Sequence, residues 1–433
     1  LQQYFSIQGG APLTGTVAVS GSKNASLPIL AASLAIHGSS IIRNLPALLD
    51  VQTMLLLLQS TGAIVSAVDT SAEYPVTIPR CVQVRPPQSG PAPADASLVG
   101  RMRAGICLLG PLLARFGTAS IPLPGGCRIG PRPIDLHLRG LAALGASLQI
   151  TDGWVHAHAD RLSAADLDLR GPAGPTVTGT CNVLSAAVLA RGTTLIRNAA
   201  QEPEVCELAR FLNAAGAQIE FPEPGFIEVR GVDQLTACEH TVFPDRIEAA
   251  TLAIAAAATQ GNILIPNAPV AQLHAFLEWL SNAGAGISQT PAGLRIVGAA
   301  TILPGDVTAQ PFPGIPTDLQ AQMTALLAIA QGTSRVTDLV FPERFQHIHE
   351  LNRLGASILQ DHGAAVVHGV PRLHGGTVRA TDLRASAALV IAALAAHGTT
   401  RILEIQHLDR GYEQLETRLQ QLGASIQRQQ LTP

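Results

Sequence analysis

The feature that most constrains this chain is a repeat. A Gly–Ala pair recurs at Gly62–Ala63, Gly145–Ala146, Gly216–Ala217, Gly284–Ala285, Gly355–Ala356 and Gly423–Ala424, each time between a helix-like and a strand-like run. A second marker precedes each pair. An Ala/Leu-rich segment stops at a glycine and gives way to a short β-like run, as in "LAIHGSSIIRN", "LLARFGTASIPL", "VLARGTTLIRN", "AAATQGNILIPN", "LAIAQGTSRVTD" and "AALAAHGTTRIL". The stops are Gly38, Gly117, Gly192, Gly261, Gly332 and Gly398. Glycine suits a helix C-terminus because it enters the left-handed region without a Cβ penalty. The unit is therefore helix, glycine, strand, second helix, Gly–Ala, strand, with a period of about 70 residues.

The two helices of the unit differ in kind. The second is amphipathic: Leu273, Phe276, Leu277 and Leu280 fall on one face. The first is apolar almost all round, as in "ASAALVIAALAA", which demands burial on every side. A chain of 433 residues is too long for one ordinary core. Six buried helices wrapped by strands and outer helices thus predict an α/β protein of two domains with three units each. A proline-rich stretch in the first unit, "RPPQSGPAPADAS", reads as a surface loop. Aromatic residues make up 3% of the chain, so the core must be built from Ala, Leu, Ile and Val.

The bulk properties exclude several classes. A formal net charge of −3 gives no global attraction to nucleic acid or an anionic membrane, so an anionic ligand needs a local basic cluster. No apolar run reaches the roughly 18 residues of a membrane span, and "LQQYFSIQGG" has no signal-peptide character. The cysteines, Cys81, Cys107, Cys127, Cys181, Cys206 and Cys238, form no CxxC pair, which favours free thiols in a reducing cytoplasm over disulfides or a metal site.

Polar residues collect where the buried helices begin: Lys23 and Asn24; Arg101 and Arg103; Thr178, Thr180 and Asn182; Asp245, Arg246 and Glu248; Asp318; Asp382 and Arg384. Helix N-termini attract anions, and Lys23, Arg103, Arg132, Arg344, Arg384 and Arg410 supply full charges nearby. The same residues read equally well, one at a time, as helix caps and surface ion pairs. One stretch stands apart. "LPGGCRIGPRP" (123–133) sets Cys127 among glycines and prolines beside Arg128 and Arg132, an electropositive setting that lowers a thiol's pKa below its free value of about 8.5.

Taken together, "SGSKNASLPILAASL", "PLPGGCRIGPRPIDLHLRGL", "FPDRIEAATL", "IPTDLQAQMTALL", "ERFQHIHELNRLGA", "TDLRASAALV" and "DRGYEQL" resemble the enolpyruvyl transferases along essentially the whole chain. The likeness is to the branch acting on UDP-N-acetylglucosamine; the shikimate-pathway branch shares the six-unit layout without the PGGC loop. The resemblance implies a two-domain inside-out α/β barrel of six βαβαββ units. One domain would span residues 22–242 and carry a Cys127 lid loop. The other would combine 1–21 with 243–433 and carry Asp318, with the active site in the cleft between them. It implies transfer of the enolpyruvyl group of phosphoenolpyruvate to the sugar 3-hydroxyl of UDP-N-acetylglucosamine with release of phosphate. That is the first committed step of peptidoglycan synthesis, run by a cytoplasmic, monomeric class of enzyme without cofactor or metal and blocked by fosfomycin at Cys127.

Roles follow from the same resemblance. Cys127 protonates the donor's methylene carbon or adds to the donor, and Asp318 takes the proton of the sugar hydroxyl. Lys23, Arg132 and Arg410 hold the donor phosphate, and Arg344 and Arg384 its carboxylate. Asn24, Asp318 and Val340 lie near the sugar. Arg103, Arg132, Pro133, Asp135, Leu136, His137, Thr178 and Gly179 line the nucleotide pocket. Asp245 and Glu248 orient the basic side chains or assist proton transfers. The chain departs from the pattern at Cys181, Gln201, Ala250, Pro342 and Glu343. An enolpyruvyl transferase with another nucleotide or sugar acceptor, and a non-catalytic nucleotide-sugar binding protein on this fold, are the alternative readings.

Overall fold

The protein is described by a computed structural model covering residues 3–68, 78–125 and 133–430. These sort into two compact units. One is built from residues 3–20 and 244–430, the other from residues 21–68, 78–125 and 133–243. In chain order the helices are α1 (Lys23–Ala32), α2 (Leu49–Ser60), α3 (Ala96–Val99), α4 (Leu109–Phe116), α5 (Asp135–Ala143), α6 (Val177–Ala187), α7 (Pro203–Ala214), α8 (Arg246–Ala258), α9 (His274–Asn282), α10 (Gln320–Leu327), α11 (His347–Arg353), α12 (Leu383–Ala395) and α13 (Leu415–Gln421).

The helices apolar all round are the buried ones. Every residue of α8 is buried, and so is α12 from Leu383 to Leu394. In the first unit α8, α10 and α12 pack on one another; in the second, α1, α4 and α6 do so. The outer helices are two-faced: α9 buries Phe276, Leu277 and Leu280 and turns Glu278 outward. The proline-rich stretch is mostly exposed, and its end forms α3, capped by the Asp95 carboxylate on the Ser97 and Leu98 N–H groups.

Small sheets complete each repeat. In four of the six repeats the strand that follows a buried helix pairs antiparallel with the second strand of a hairpin and parallel with a short strand from elsewhere in the chain. Thr333–Asp338, for example, lies between Ala364–His368 and Val307–Ala309. In the last repeat the N-terminal strand takes the place of the hairpin's second strand. Gln3–Gln8 lies antiparallel between Thr399–Leu403 and Ser425–Gln430. Phe5 is wholly buried there, with the Arg428 guanidinium 5.0 Å from its ring.

The glycine markers have a backbone cause, with one exception. In all six Gly–Ala pairs the glycine is left-handed, with φ between 90° at Gly355 and 107° at Gly284. The helix-stopping glycines Gly38, Gly117, Gly192, Gly332 and Gly398 also have positive φ. Gly261 does not. Gln260 takes the left-handed position (φ 52°), and Gly261 is needed for a close approach, since a Cβ there would lie 2.3 Å from the Leu13 carbonyl oxygen.

The tightest helix contact in the second unit is also a glycine. A Cβ on Gly110 would meet the Asn182 carbonyl oxygen at 2.1 Å, and its N–H donates to Asn182 Oδ1 at 2.6 Å. Gly110→Ala must push α4 from α6 and is expected to cost about 1–3 kcal/mol in denaturant unfolding. Gly90→Ala, with nothing within 4 Å of the added carbon, is expected to change stability by less than about 0.5 kcal/mol. Equal effects at the two positions would refute the packing argument.

Candidate functional site

In the first unit the first turns of three buried helices converge. Asp382 caps α12 through the N–H groups of Arg384 and Ala385. Asp245 caps α8 through those of Ile247 and Glu248. Before α10 the chain makes a short 3-10 turn, Thr317–Leu319, that no side chain caps. Asp318 lies in that turn, and its carboxylate goes to two cations instead. Arg344 Nη1 donates to Oδ1 and Arg384 Nη2 to Oδ2, both at 2.9 Å. The expectation that Asp318 also serves as a helix cap is thus not met: its oxygens are used by the guanidinium groups.

The two arginines are anchored from behind. Arg344 Nη1 also donates to Thr317 Oγ1 at 3.2 Å, and that hydroxyl donates to Asp338 Oδ2 at 2.6 Å. Asp338 Oδ1 accepts from the Val340 and Phe341 N–H groups, which ties the Val340 segment to the Asp318 turn. Arg384 lies 5.2 Å from the centre of the buried Tyr412 ring. The Tyr412 hydroxyl meets Thr251 Oγ1 at 3.0 Å, and Gln322 Nε2 donates to it at 3.1 Å and to the Asp318 carbonyl at 2.8 Å. One residue from each of α8 (Thr251), α10 (Gln322) and α12 (Arg384) therefore surrounds Tyr412.

These surroundings sort the ionisable groups. Burial pushes the Asp318 carboxyl up, but Arg384 and Arg344 outweigh it and hold the group well below the usual carboxylate range. Burial lowers the arginines' pKa, and Asp318 more than compensates, so both remain charged. Glu248 moves the other way. It is 3% exposed, and burial pushes its carboxyl up to about 7 despite Arg418. Its Oε2 accepts from the Ser20 N–H at 2.8 Å, and Oε1 lies 3.1 Å from Arg418 Nη1. Glu248 holds the Ser20 segment, and Asp245 accepts from the Ile247 and Glu248 N–H groups at the start of α8.

Arg410 ends the 3-10 turn Ile405–Arg410 and is half-buried. Its neighbour Asp409 is gripped by Arg428 through two parallel bonds of 2.9 and 2.7 Å, and Arg428 Nε donates to Glu416 at 2.7 Å.

In the second unit Lys23 opens α1 and makes a buried 2.7 Å ion pair with Asp50 of α2. Ser22 caps the helix and Asn24 beside it is half-buried. Arg103 Nη2 donates to the Pro133 carbonyl at 3.0 Å. His137 and Leu136 are buried on α5, whereas Asp135 is exposed. Thr176, not Thr178, caps α6. Thr178 Oγ1 lies 3.3 Å from His137 Nε2, and His137 Nδ1 lies 3.1 Å from Asn182 Nδ2. The Asn182 amide is oriented by Gly110 N–H on Oδ1, so its Nδ2 faces His137 as a donor. Gly179 is buried, its N–H on Thr176 Oγ1.

Cys127 and Arg132 lie outside the described residues. The other cysteines are free. Burial pushes Cys107 up to about 12 and raises Cys181, Cys206 and Cys238 as well, so these thiols stay protonated at neutral pH. Cys181 is 1% exposed and presents no surface to a ligand, and Ala250 is wholly buried in α8. Pro342 and Glu343 are exposed. Sequence reasoning singled out Lys23, Asp318, Arg344 and Arg384 in these clusters and missed Asp50, Thr317, Gln322, Asp338 and Tyr412. Gln322 and Tyr412 stood inside motifs already quoted; Asp50 and Asp338 carried no local signal.

Glu248 makes a testable contribution to stability. Its folded-state pKa of about 7 lies above its usual 4.5, so its favourable contribution is complete below 4.5 and is lost as pH rises through 7. His347, which burial lowers from 6.5 to about 4, acts in the opposite sense: its contribution is present above 6.5 and is lost as pH falls through 4. Glu248→Gln removes only the first. Its Tm relative to the parent protein is expected to rise steadily between pH 5 and pH 8, and a constant difference would show that Glu248 titrates elsewhere.

Comparison with known proteins agrees with this architecture. Residues 7–419 match the family described as EPSP synthase (3-phosphoshikimate 1-carboxyvinyltransferase). Among curated relatives, proteins named UDP-N-acetylglucosamine 1-carboxyvinyltransferase are 45% identical in Methylacidiphilum infernorum and 47% identical in Myxococcus xanthus, each covering 98% of both chains. The solved structure of the enolpyruvyl transferase NikO from Streptomyces tendae is similar over 100% of both chains, at 27% identity and a TM-score of 0.87. An EPSP synthase from Acinetobacter baumannii, 17% identical with a TM-score of 0.74, covering 99% of this chain and 100% of its own, shares the fold. Among the described residues no helix is long and apolar enough to cross a membrane. The two-unit α/β fold is that of these proteins, and the chain belongs to the EPSP synthase family of enolpyruvyl transferases.

Proposed function

We propose that this protein transfers the enolpyruvyl group of phosphoenolpyruvate to the 3-hydroxyl of UDP-N-acetylglucosamine and releases phosphate, in the cytoplasm, as the first committed step of peptidoglycan synthesis. The observation that carries the reading is full-length identity of 45–47% to relatives named for that reaction. The Asp318–Arg344–Arg384 cluster, two buried arginines and a half-buried carboxylate, adds a chemical reason.

The reaction is an addition followed by an elimination. The sugar oxygen bonds to C2 of the donor while its proton leaves to Asp318. The methylene carbon takes a proton from the Cys127 thiol and becomes a methyl group. The tetrahedral ketal then returns a methyl proton to the Cys127 thiolate as the C2–O bond breaks and phosphate leaves with its electron pair, which restores the double bond. The donor carries two anionic groups, and the basic side chains answer both. Arg344 and Arg384 present guanidinium groups, whose fork geometry fits a carboxylate. Lys23, Arg132 and Arg410 supply compact or delocalised charge for the phosphate. In the nucleotide pocket, His137 is set by Asn182 to donate from Nε2 to Thr178 Oγ1, which leaves the Thr178 proton to donate to a ligand.

Phosphate release from phosphoenolpyruvate is expected with UDP-N-acetylglucosamine and not with UMP or shikimate 3-phosphate. Release with only one of the latter would move the acceptor. Absence of turnover with any, alongside nucleotide-sugar binding, would favour a binding protein.

A thiol prediction is independent. Cys107, Cys181, Cys206 and Cys238 are held protonated by burial, so fosfomycin, an epoxide, is expected to add to Cys127. Intact-mass and peptide analysis should show one adduct, absent in Cys127→Ser. An adduct on another cysteine would refute the assignment.

A further inference from the structure

We infer that Asp318 competes with the donor's carboxylate for Arg344 and Arg384, so that donor binding itself frees Asp318 to accept the acceptor's proton. The inference rests on the reading above that these arginines hold the donor carboxylate.

The geometry sets up an exchange of like for like. Asp318 is a carboxylate with one oxygen on each guanidinium, at 2.9 Å. A second carboxylate directed to the same two groups must meet it there. The arginines are the fixed partners. Their side chains are 6% and 2% exposed, whereas that of Asp318 is 24% exposed. Arg344 is also bonded to Thr317, and Arg384 lies against Tyr412. Asp318 is thus the exposed member of the cluster.

The occupied edge is also incompletely used. Arg384 Nη2 donates to Asp318 Oδ2, but among the described residues the buried Nε–H meets no acceptor. On a guanidinium, Nε–H and one Nη2–H point the same way and can grip both oxygens of one carboxylate. Asp318 divides its oxygens between two arginines and cannot satisfy that edge. A free carboxylate in a bidentate pose can, and a buried donor without an acceptor is costly.

The exchange resolves a conflict in the chemistry. A general base needs an oxygen within hydrogen-bond reach of the proton it takes. While each Asp318 oxygen accepts from an arginine, the carboxylate is a poor base. Once the donor takes the guanidinium groups, an oxygen can turn to the acceptor hydroxyl. The proton then moves from that hydroxyl to Oδ as the sugar oxygen bonds to C2 of the donor. The base is thereby restrained until its reaction partner is bound.

Coupling of this kind is reciprocal. If the donor must displace Asp318, Asp318 must weaken the donor. Removing the carboxylate is therefore expected to tighten donor binding while abolishing turnover, opposite to the usual effect of deleting an active-site contact. The test is calorimetric titration of the full chain with phosphoenolpyruvate, in a Cys127→Ser background that prevents covalent capture. Asp318→Asn, with Asp318→Ser as a second variant, is expected to bind about fivefold or more tightly. Asp382→Asn controls for charge at a distance. It removes a negative charge acting on Arg344 but keeps a residue that caps helices well. It is expected to change donor affinity by less than about twofold, because the Asp382 carboxylate accepts from the backbone N–H groups of Arg384 and Ala385 rather than from a guanidinium.

Arg344→Lys and Arg384→Lys test the underlying assignment and are expected to weaken donor binding. If they do so and the Asp318 variants bind the donor unchanged or more weakly, the competition is refuted while the assignment stands. If Asp382→Asn tightens binding as much as Asp318→Asn, the effect is net charge and the competition is refuted. If the arginine variants bind the donor normally, the assignment fails and takes the inference with it.

Discussion

A helix that is apolar on every side has only its ends to offer to water, charge or a ligand. That constraint organises this protein. The buried helices α8, α10 and α12 can carry polar groups along their length only where those groups pair with one another, as Thr251 and Gln322 do, because an unpaired one is costly in a low-dielectric core. Their N-terminal turns hold orphan N–H groups that need acceptors in any case. Polar residues are therefore concentrated there, and the caps Asp245 and Asp382 satisfy the backbone while placing negative charge near the arginines. The Asp318–Arg344–Arg384 cluster is the same constraint carried further: ions that would be prohibitive alone are tolerated because they neutralise one another.

Much of this was legible because repeats write the same physics several times. Left-handed glycine is needed wherever a helix turns sharply into a strand, so the Gly–Ala pairs marked real backbone positions. What failed was the inference from residue type to cause. At Gly261 the helix ends on Gln260, and the glycine is there for its missing Cβ. Sequence gives composition at a turn but not which neighbour will crowd it. The N-terminal strand is a second example. "QYFSIQ" reads as a strand, but nothing local says that it will replace the pairing the last repeat lacks.

The candidate site divides in the same way. Charged residues at helix starts could be picked out because they interrupt apolar runs. Their partners could not. Asp50 and Asp338 are ordinary acidic residues in sequence, yet one pairs with Lys23 and the other holds the Thr317 hydroxyl beside Arg344. Tyr412 and Gln322 have no charge to draw attention, and their role is to bring α8, α10 and α12 into one hydrogen-bonded group. Pairings between residues far apart in sequence are set by topology, and only the coordinates reveal them.

Two carboxylates in one unit show why residue type alone does not define a base. Glu248 has the higher proton affinity, with a pKa of about 7, because burial disfavours its charge. Yet it is 3% exposed, and its oxygens face the Ser20 N–H and Arg418. A proton acceptor that a substrate cannot touch cannot act on it directly. Asp318 is the reverse: reachable, and suppressed by the cations that hold it. Access and basicity are supplied by different surroundings, and an anionic ligand is the agent that can change the second without disturbing the first. A site built from fixed cations and one exposed carboxylate therefore has its chemistry set by which anion the cations hold.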